Sequence, residues 1–103
     1  MKFWVIIPAA GSGQRFGSDL AKQFQQVRGL SVLDWTLSRF LDHPDLAGIQ
    51  VVLPAGVEPF NHWNSDLIRC CVGGQTRRDS VLAGCRSLLE QGVDKNAPVL
   101  VHD

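Results

Sequence analysis

The stretch "VIIPAAGSGQRFGSDLAKQ", Val5 to Gln23, decides how the rest of the chain is read. Its first residues are apolar without alternation, the pattern of a central strand in a parallel sheet, covered on both faces. Pro8 ends that run, and Gly11, Gly13 and Gly17 follow together with Arg15 and Lys22. Glycines let backbone N–H groups come close to an anion, and clustered amides form a nest for phosphate. Arg grips phosphate oxygens in pairs, and Lys adds a point charge. A glycine-rich segment straight after a strand is where a phosphate loop belongs. The G-x-G-x-x-x-G spacing nevertheless matches neither the dinucleotide fingerprint nor the G-x-x-x-x-G-K-[ST] loop. On spacing alone, a surface loop with two solvated cations accounts for the segment equally well.

Working outward, Phe3 to Pro8 is the first strand, and a glycine-rich polar segment runs to about Gly29. The spacing predicts a helix over Ser31–Leu41, with Ser31 and Asp34 at the N-cap and N3 positions and Leu33, Leu37, Phe40 and Leu41 on one stripe. Pro44 stops it. "IQVVLP" (Ile49–Pro54) and "LIRCCV" (Leu67–Val72) read as strands, with a short helix between them over Glu58–Trp63. Gly73 and Gly74 break the third strand. A second helix is expected over Arg78–Glu90, with Val81, Cys85 and Leu88 on its buried face, Leu82 and Leu89 beside them, and Gly92 as its stop. "PVLVH" (Pro98–His102) is a fourth strand.

Strands alternating with helices imply an α/β, Rossmann-like, doubly wound and mostly parallel sheet with helices on both faces. The 103 residues make one domain without repeats or linkers. The last strand reaches Asp103 at its carboxyl end, the edge at which such sheets bind ligands. The expectation is therefore the N-terminal part of a longer chain, truncated at its C-terminus.

Composition narrows the function classes. Lys plus Arg and Asp plus Glu number 10 each, giving zero net charge. A protein that coats nucleic acid needs a basic excess, so nucleic acid is not expected as a partner. No apolar run approaches the ~18 residues of a membrane span, and Pro8 cuts the N-terminal apolar run too short for a signal peptide. Cys70, Cys71 and Cys85 lack C-x-x-C spacing and read as small buried apolar side chains in a reducing cytoplasm. Trp4, Trp35 and Trp63 read as core or interface anchors. His102 reads as a packed strand residue, and His43 and His62 receive no role. Ser80, near a helix start, could serve only as a cap.

"PAAGSGQRFG" followed by "KQF" resembles the N-terminal signature of nucleotidyltransferases that activate sugar and polyol phosphates. "GGQTRRDSVLAG" (Gly73–Gly84) and "VLVHD" (Val99–Asp103) make the resemblance closest to the 2-C-methyl-D-erythritol 4-phosphate cytidylyltransferases of the non-mevalonate isoprenoid pathway. The resemblance implies the nucleotidyltransferase fold, with residues 1–103 as its CTP-binding part, and an enzyme joining CTP to a polyol phosphate. It assigns Arg15 and Lys22 as catalytic residues on the triphosphate. Pro8, Ala9, Ala10 and Gly11 would line the cytidine pocket, and Gly13 would cradle phosphates. Gly74, Gln75 and Ser80 would contact cytosine and ribose, and Arg77 would support their loop. Asp103 would coordinate Mg²⁺, and the full-length protein would be a homodimer. Phe16, Ala21 and Gln75 depart from the family's usual Met, Pro and acidic residue. A ribitol 5-phosphate cytidylyltransferase and a non-catalytic nucleotide-binding module stand as alternatives. A dinucleotide-dependent oxidoreductase is disfavoured by the glycine spacing.

Overall fold

A computed structural model describes residues 2–9, 26–27, 30–57 and 65–102. Its elements, in chain order, are β1 (Phe3–Pro8), β2 (Gln26–Val27), β3 (Leu30–Ser31), α1 (Val32–Leu41), β4 (Leu46–Leu53), β5 (Ile68–Val72), α2 (Arg77–Glu90) and β6 (Val99–Val101). The helix expected over Glu58–Trp63 lies outside the described residues.

Strands β5-β4-β1-β6 form a four-stranded sheet in that order. Each neighbouring pair runs parallel, with Val5 opposite Ile49 and Leu100, and Val51 opposite Cys70. The doubly wound expectation is met. Odd-numbered residues of β1 and β4 (Val5, Ile7, Ile49, Val51, Leu53) pack with Leu33 and Leu37 of α1 in one apolar cluster. Ile6 and Val52, the alternate residues of the same strands, pack with Leu88 of α2 on the opposite face. Period-2 side-chain direction thus gives each helix its own half of the core. An apolar residue at every position of β1 is the consequence.

The sequence pattern misplaces some boundaries. β4 begins at Leu46, ahead of the expected Ile49, because Leu46 is buried and pairs with Phe3. Gly48 hides this extension from a pattern reading. It is small because the Trp4 ring lies over it, and a Cβ built there would stand 2.4 Å from Trp4 Cζ3. β6 is shorter than expected, but its neighbours extend the ladder: Trp4 N–H donates to Pro98 O at 2.9 Å, and His102 N–H to Ile6 O at 3.0 Å. The small antiparallel pair β2/β3 falls partly inside the segment read as irregular, since two residues per strand are too few to show alternation.

Helix α2 is the larger correction. Its buried residues are Ser80, Gly84 and Leu88; of the expected Val81, Cys85 and Leu88, only Leu88 is fully buried, and Val81 and Cys85 are half-buried. Leu82 and Leu89 are about half exposed, at 47% and 54%. The reason is steric. Gly84 lies so close to the sheet that an added Cβ would meet Ile6 Cγ2 at 2.9 Å and Val52 Cγ2 at 3.1 Å. Small residues at i and i+4 seat the helix backbone on the strands, which turns its longer leucines away from the sheet.

The end of α2 matches expectation. Gly92 has φ +91°. Gly92 N–H reaches Leu89 O and Val93 N–H reaches Leu88 O, each at 3.0 Å. These are the paired bonds of a Schellman stop, with Val93 packing on Leu88 as its apolar contact. The three cysteines are free, as expected, but only half-buried.

Candidate active site

The strand order fixes where a ligand can sit. From β1 the chain moves outward on one side to β4 and β5, then crosses back past β1 to β6 on the other. Such a reversal opens a crevice outside the carboxyl ends of the strands flanking it, here β1 and β6. Pro8 and Ala9 end β1 at this edge. Both are buried, and Ala9 N–H extends the ladder to Val52 O at 2.8 Å. Side chains this enclosed leave chiefly backbone groups to meet a ligand.

The β5–α2 turn reaches the same edge, because parallel strands end together. Gly73 N–H donates to Leu53 O at 2.9 Å, which anchors the turn to the end of β4. Gly74 follows. A Cβ on it would lie 2.4 Å from Asp79 Cβ, so only glycine lets the turn close over the first helical residues. Thr76 is the N-cap, with φ −114° and ψ 162°. Its Oγ1 accepts from Asp79 N–H at 3.0 Å, and its carbonyl accepts from Ser80 N–H at 3.0 Å. This Thr-x-x-Asp spacing is that of a capping box with Asp in place of Glu, and the Thr76 half of it is formed. The cap is Thr76, not Ser80. Ser80 lies inside the helix, fully buried, with its hydroxyl 3.5 Å from Gly74 O.

The residues singled out from the sequence therefore divide. Pro8 and Ala9 at the end of β1, and Gly74, Gln75, Arg77 and Ser80 on the β5–α2 turn, share one edge of the sheet. Gln75 and Arg77 are exposed there. Ala10, Gly11, Gly13, Arg15, Lys22 and Asp103 lie outside the described residues. His102, the residue before Asp103, is hydrogen-bonded to β1 at Ile6 O and sets its ring edge-on to Phe40, centroids 5.2 Å apart. His43 receives the Asp45 N–H on Nδ1 at 3.1 Å and packs edge-on against Phe3, a structural part in the turn after α1.

This edge carries the N-terminal end of a 14-residue helix, with the exposed Arg77 and Arg78 in its first turn. Amides and dipole together favour negative charge at such a terminus. Among the described residues, no group of three His, Cys, Asp or Glu side chains could hold a metal ion. No helix of the described residues is long and apolar enough to cross a membrane. Sequence reasoning missed Thr76 and Asp79, although the Thr-x-x-Asp spacing was available. It also missed Gln50 and Gln91, whose pairing across 41 residues leaves no local pattern.

Comparison with known proteins agrees with this geometry. The family model described as IspD, 2-C-methyl-D-erythritol 4-phosphate cytidylyltransferase, matches residues 3–103. The 2-C-methyl-D-erythritol 4-phosphate cytidylyltransferase of Ectopseudomonas mendocina (strain ymp) is 43% identical over 108 residues, covering 99% of this chain and 45% of that protein. The crystal structure of the Francisella tularensis enzyme of the same name superposes with a TM-score of 0.74 at 35% identity, over 100% of this chain and 44% of the other. A crystal structure named 4-diphosphocytidyl-2C-methyl-D-erythritol synthase gives 0.78 at 30% identity, over 99% and 45%. The chain thus spans a little under half the length of the curated relatives it matches. On a family match running from β1 to Asp103, the chain belongs to the 2-C-methyl-D-erythritol 4-phosphate cytidylyltransferase family.

Proposed function

We propose that the chain is the CTP-binding part of a cytidylyltransferase that joins CTP and 2-C-methyl-D-erythritol 4-phosphate, giving 4-diphosphocytidyl-2-C-methyl-D-erythritol and pyrophosphate. The observation that carries this reading is the meeting of Pro8–Ala9 with the Gly74–Ser80 turn at one sheet edge, in a chain whose family match spans nearly its whole length. The relatives named above carry the erythritol phosphate name, and nothing in the fold favours ribitol 5-phosphate or a purely non-catalytic module.

In the reaction, an oxygen of the acceptor's phosphate attacks the α-phosphorus of CTP. That bond forms as the bond to the bridging oxygen of pyrophosphate breaks. The nucleophile is already anionic, so no general base is needed. The barrier is the approach of two anions and the charge that builds on the α-phosphoryl oxygens. Catalysis is then mainly positioning and cationic stabilisation. Arg15 and Lys22 supply the cations. Pro8, Ala9, Ala10, Gly11 and Gly13 offer backbone to cytidine and phosphates, while Gly74, Gln75 and Ser80, with Arg77 supporting their loop, hold base and ribose.

Asp103 would hold Mg²⁺. One carboxylate completed by substrate phosphate oxygens is the usual setting for this cation, and it suits a sheet edge without an all-protein cluster among the described residues. The cation would neutralise phosphate charge. The acceptor site lies beyond residue 103, and the complete protein works as a cytoplasmic homodimer.

The test joins residues 1–103 to the remaining half of the Ectopseudomonas mendocina relative and follows pyrophosphate release. One preorganised electrostatic contact can be worth about 3–4 kcal/mol in the transition state. Lys22→Ala is therefore expected to lower kcat at least ~100-fold, and Arg15→Ala similarly. A Lys22→Ala protein turning over CTP at the parent rate would overturn the assignment. An Arg15→Ala protein changed only in KM would reduce Arg15 to a binding role.

A further inference from the structure

Gln50 lies in the middle of β4, fully buried, on the sheet face that α2 covers. An amide there is costly unless hydrogen-bonded. Its partner is Gln91, the C-cap residue of α2. Gln91 Nε2 donates to Gln50 Oε1 at 3.1 Å and to Ser87 Oγ at 2.7 Å. Gln91 Oε1 accepts from Arg69 Nη1 on β5. The Arg69 guanidinium also stands 5.5 Å from the centre of the Trp4 ring on β1. One exposed glutamine at the end of α2 therefore ties the helix to β4 and β5, and through Arg69 to β1.

The orientation of both amides follows from Arg69. A guanidinium only donates, so Gln91 must turn its oxygen to Arg69 and its Nε2 to Gln50. Gln50 must then present its own oxygen. That leaves Gln50 Nε2 buried without a partner among the described residues, apart from the weakly accepting sulfur of Cys71, which interacts with Gln50 and Ser87. An unpaired buried N–H is a cost. An apolar pair at positions 50 and 91 would remove it with little or no loss of stability. The network therefore makes more sense as a constraint on geometry than as a source of stability.

What it constrains is α2. The buried stripe Ser80–Gly84–Leu88 contains one large side chain. Helix packing is fixed by ridges entering grooves, and a stripe this smooth does little to stop the helix from sliding along its axis. We propose that the Gln50–Gln91–Arg69 network is the axial stop of α2, a set of positioning residues that hold the helix's opposite end, the Thr76–Ser80 turn, at the carboxyl edge of the sheet. The two ends are about 15–20 Å apart at 1.5 Å per residue, and the intervening helix transmits the constraint as a rigid rod. The consequence for binding rests on the reading of Gly74–Ser80 as the nucleotide-contacting segment.

The experiment measures amide hydrogen exchange across α2 in residues 1–103, alongside calorimetric titration with Mg·CTP. Variants are Gln91→Ala, the milder Arg69→Lys, and the apolar pair Gln50→Leu/Gln91→Leu. All three are expected to speed exchange at Asp79 and Ser80 at least ~10-fold and to weaken CTP binding by a similar factor. The Leu/Leu protein is expected to do so while keeping the parent's melting temperature, an outcome a purely stabilising role would not give. Faster exchange confined to Leu88–Val93, with the first turn unchanged in all three variants, would overturn the proposal. If the parent chain binds no CTP, the nucleotide reading falls, and exchange at Asp79 and Ser80 still decides whether the network positions the helix.

Discussion

Gly74→Ala is the sharpest single perturbation of the site. The new methyl would sit 2.4 Å from Asp79 Cβ, with Asp79 Cγ at 3.3 Å and Oδ2 at 3.4 Å. The nearest atom is a Cβ, fixed by its own backbone, so no rotamer change relieves the contact. Either the turn or the first turn of α2 must move. Overpacking of this kind costs about 1–3 kcal/mol. For a domain of this size that is a fall in Tm of roughly 4–8 °C per kcal/mol. The movement also pulls Thr76 and Asp79 apart, whose hydrogen bond is 3.0 Å long, and cap loss adds to the cost. A double-mutant cycle isolates the mechanism. Asp79→Gly removes the clashing atom, so Gly74→Ala should cost less in that background, with a coupling energy of about 1 kcal/mol or more. The assay is urea unfolding of the four proteins, followed by circular dichroism, with the slope checked for constancy. A Gly74→Ala cost equal in both backgrounds would refute the close-approach argument. So would a Gly74→Ala protein as stable as the parent.

Other expectations follow from the same turn and from the thiols. Thr76→Ala removes the acceptor of Asp79 N–H and should cost about 1 kcal/mol, whereas Thr76→Ser keeps the acceptor and should restore most of it; equal losses for both in thermal melts would remove Thr76 as the cap. Burial, and then the neighbouring Cys71, push the Cys70 thiol above its ordinary value of 9.0. Burial also raises Cys71, against the opposing pull of Gln50 and Ser87. An unfolded chain would ionise these thiols first, so above pH 9 the folded state binds more protons and stability falls as pH rises. Urea midpoints between pH 8 and 10.5 should decline less steeply in Cys70→Ala/Cys71→Ala than in the parent, and parallel declines would contradict the raised thiols. The same protonation makes both thiols slow toward a disulfide reagent at pH 8 relative to a free peptide cysteine.

How far the sequence reaches is clearest in the two helices. α1 was readable because its partners are apolar and long: Leu33 and Leu37 are buried against Val5 and Ile49, and their spacing alone names the face. α2 was misread because apolarity and burial part company there. Val81, Cys85 and Leu88 look like a core stripe, yet Ser80 and Gly84 are buried with Leu88 while Val81 and Cys85 are only half-buried. A hydrophobic pattern measures transfer free energy, and it carries no term for how closely two backbones approach. Gly48 under Trp4 misled the start of β4 for the same reason. In both places a glycine marks a contact that only the assembled neighbours reveal.

The candidate site was legible in kind and not in assembly. Glycines after a strand, followed by Arg15 and Lys22, fit an anion loop or a solvated surface loop equally well, and they do not say that the end of β1, at Pro8 and Ala9, shares its edge with a turn some seventy positions later. That convergence comes from the strand order, in which the chain leaves β1 on one side and returns on the other. Two contacts, one at each end of α2, differ in legibility. Thr76 and Asp79 act through a spacing of three residues, which a local reading can find. Gln50 and Gln91 act across 41, and no local rule links a mid-strand amide to a helix cap. A buried polar residue in an otherwise apolar parallel strand is itself the available signal. In "IQVVLP" the Gln contradicts the pattern around it, and such a local conflict points to a geometric demand elsewhere in the fold. On the proposal made above, that demand is the placement of α2, and with it the Thr76–Ser80 turn at the helix's other end.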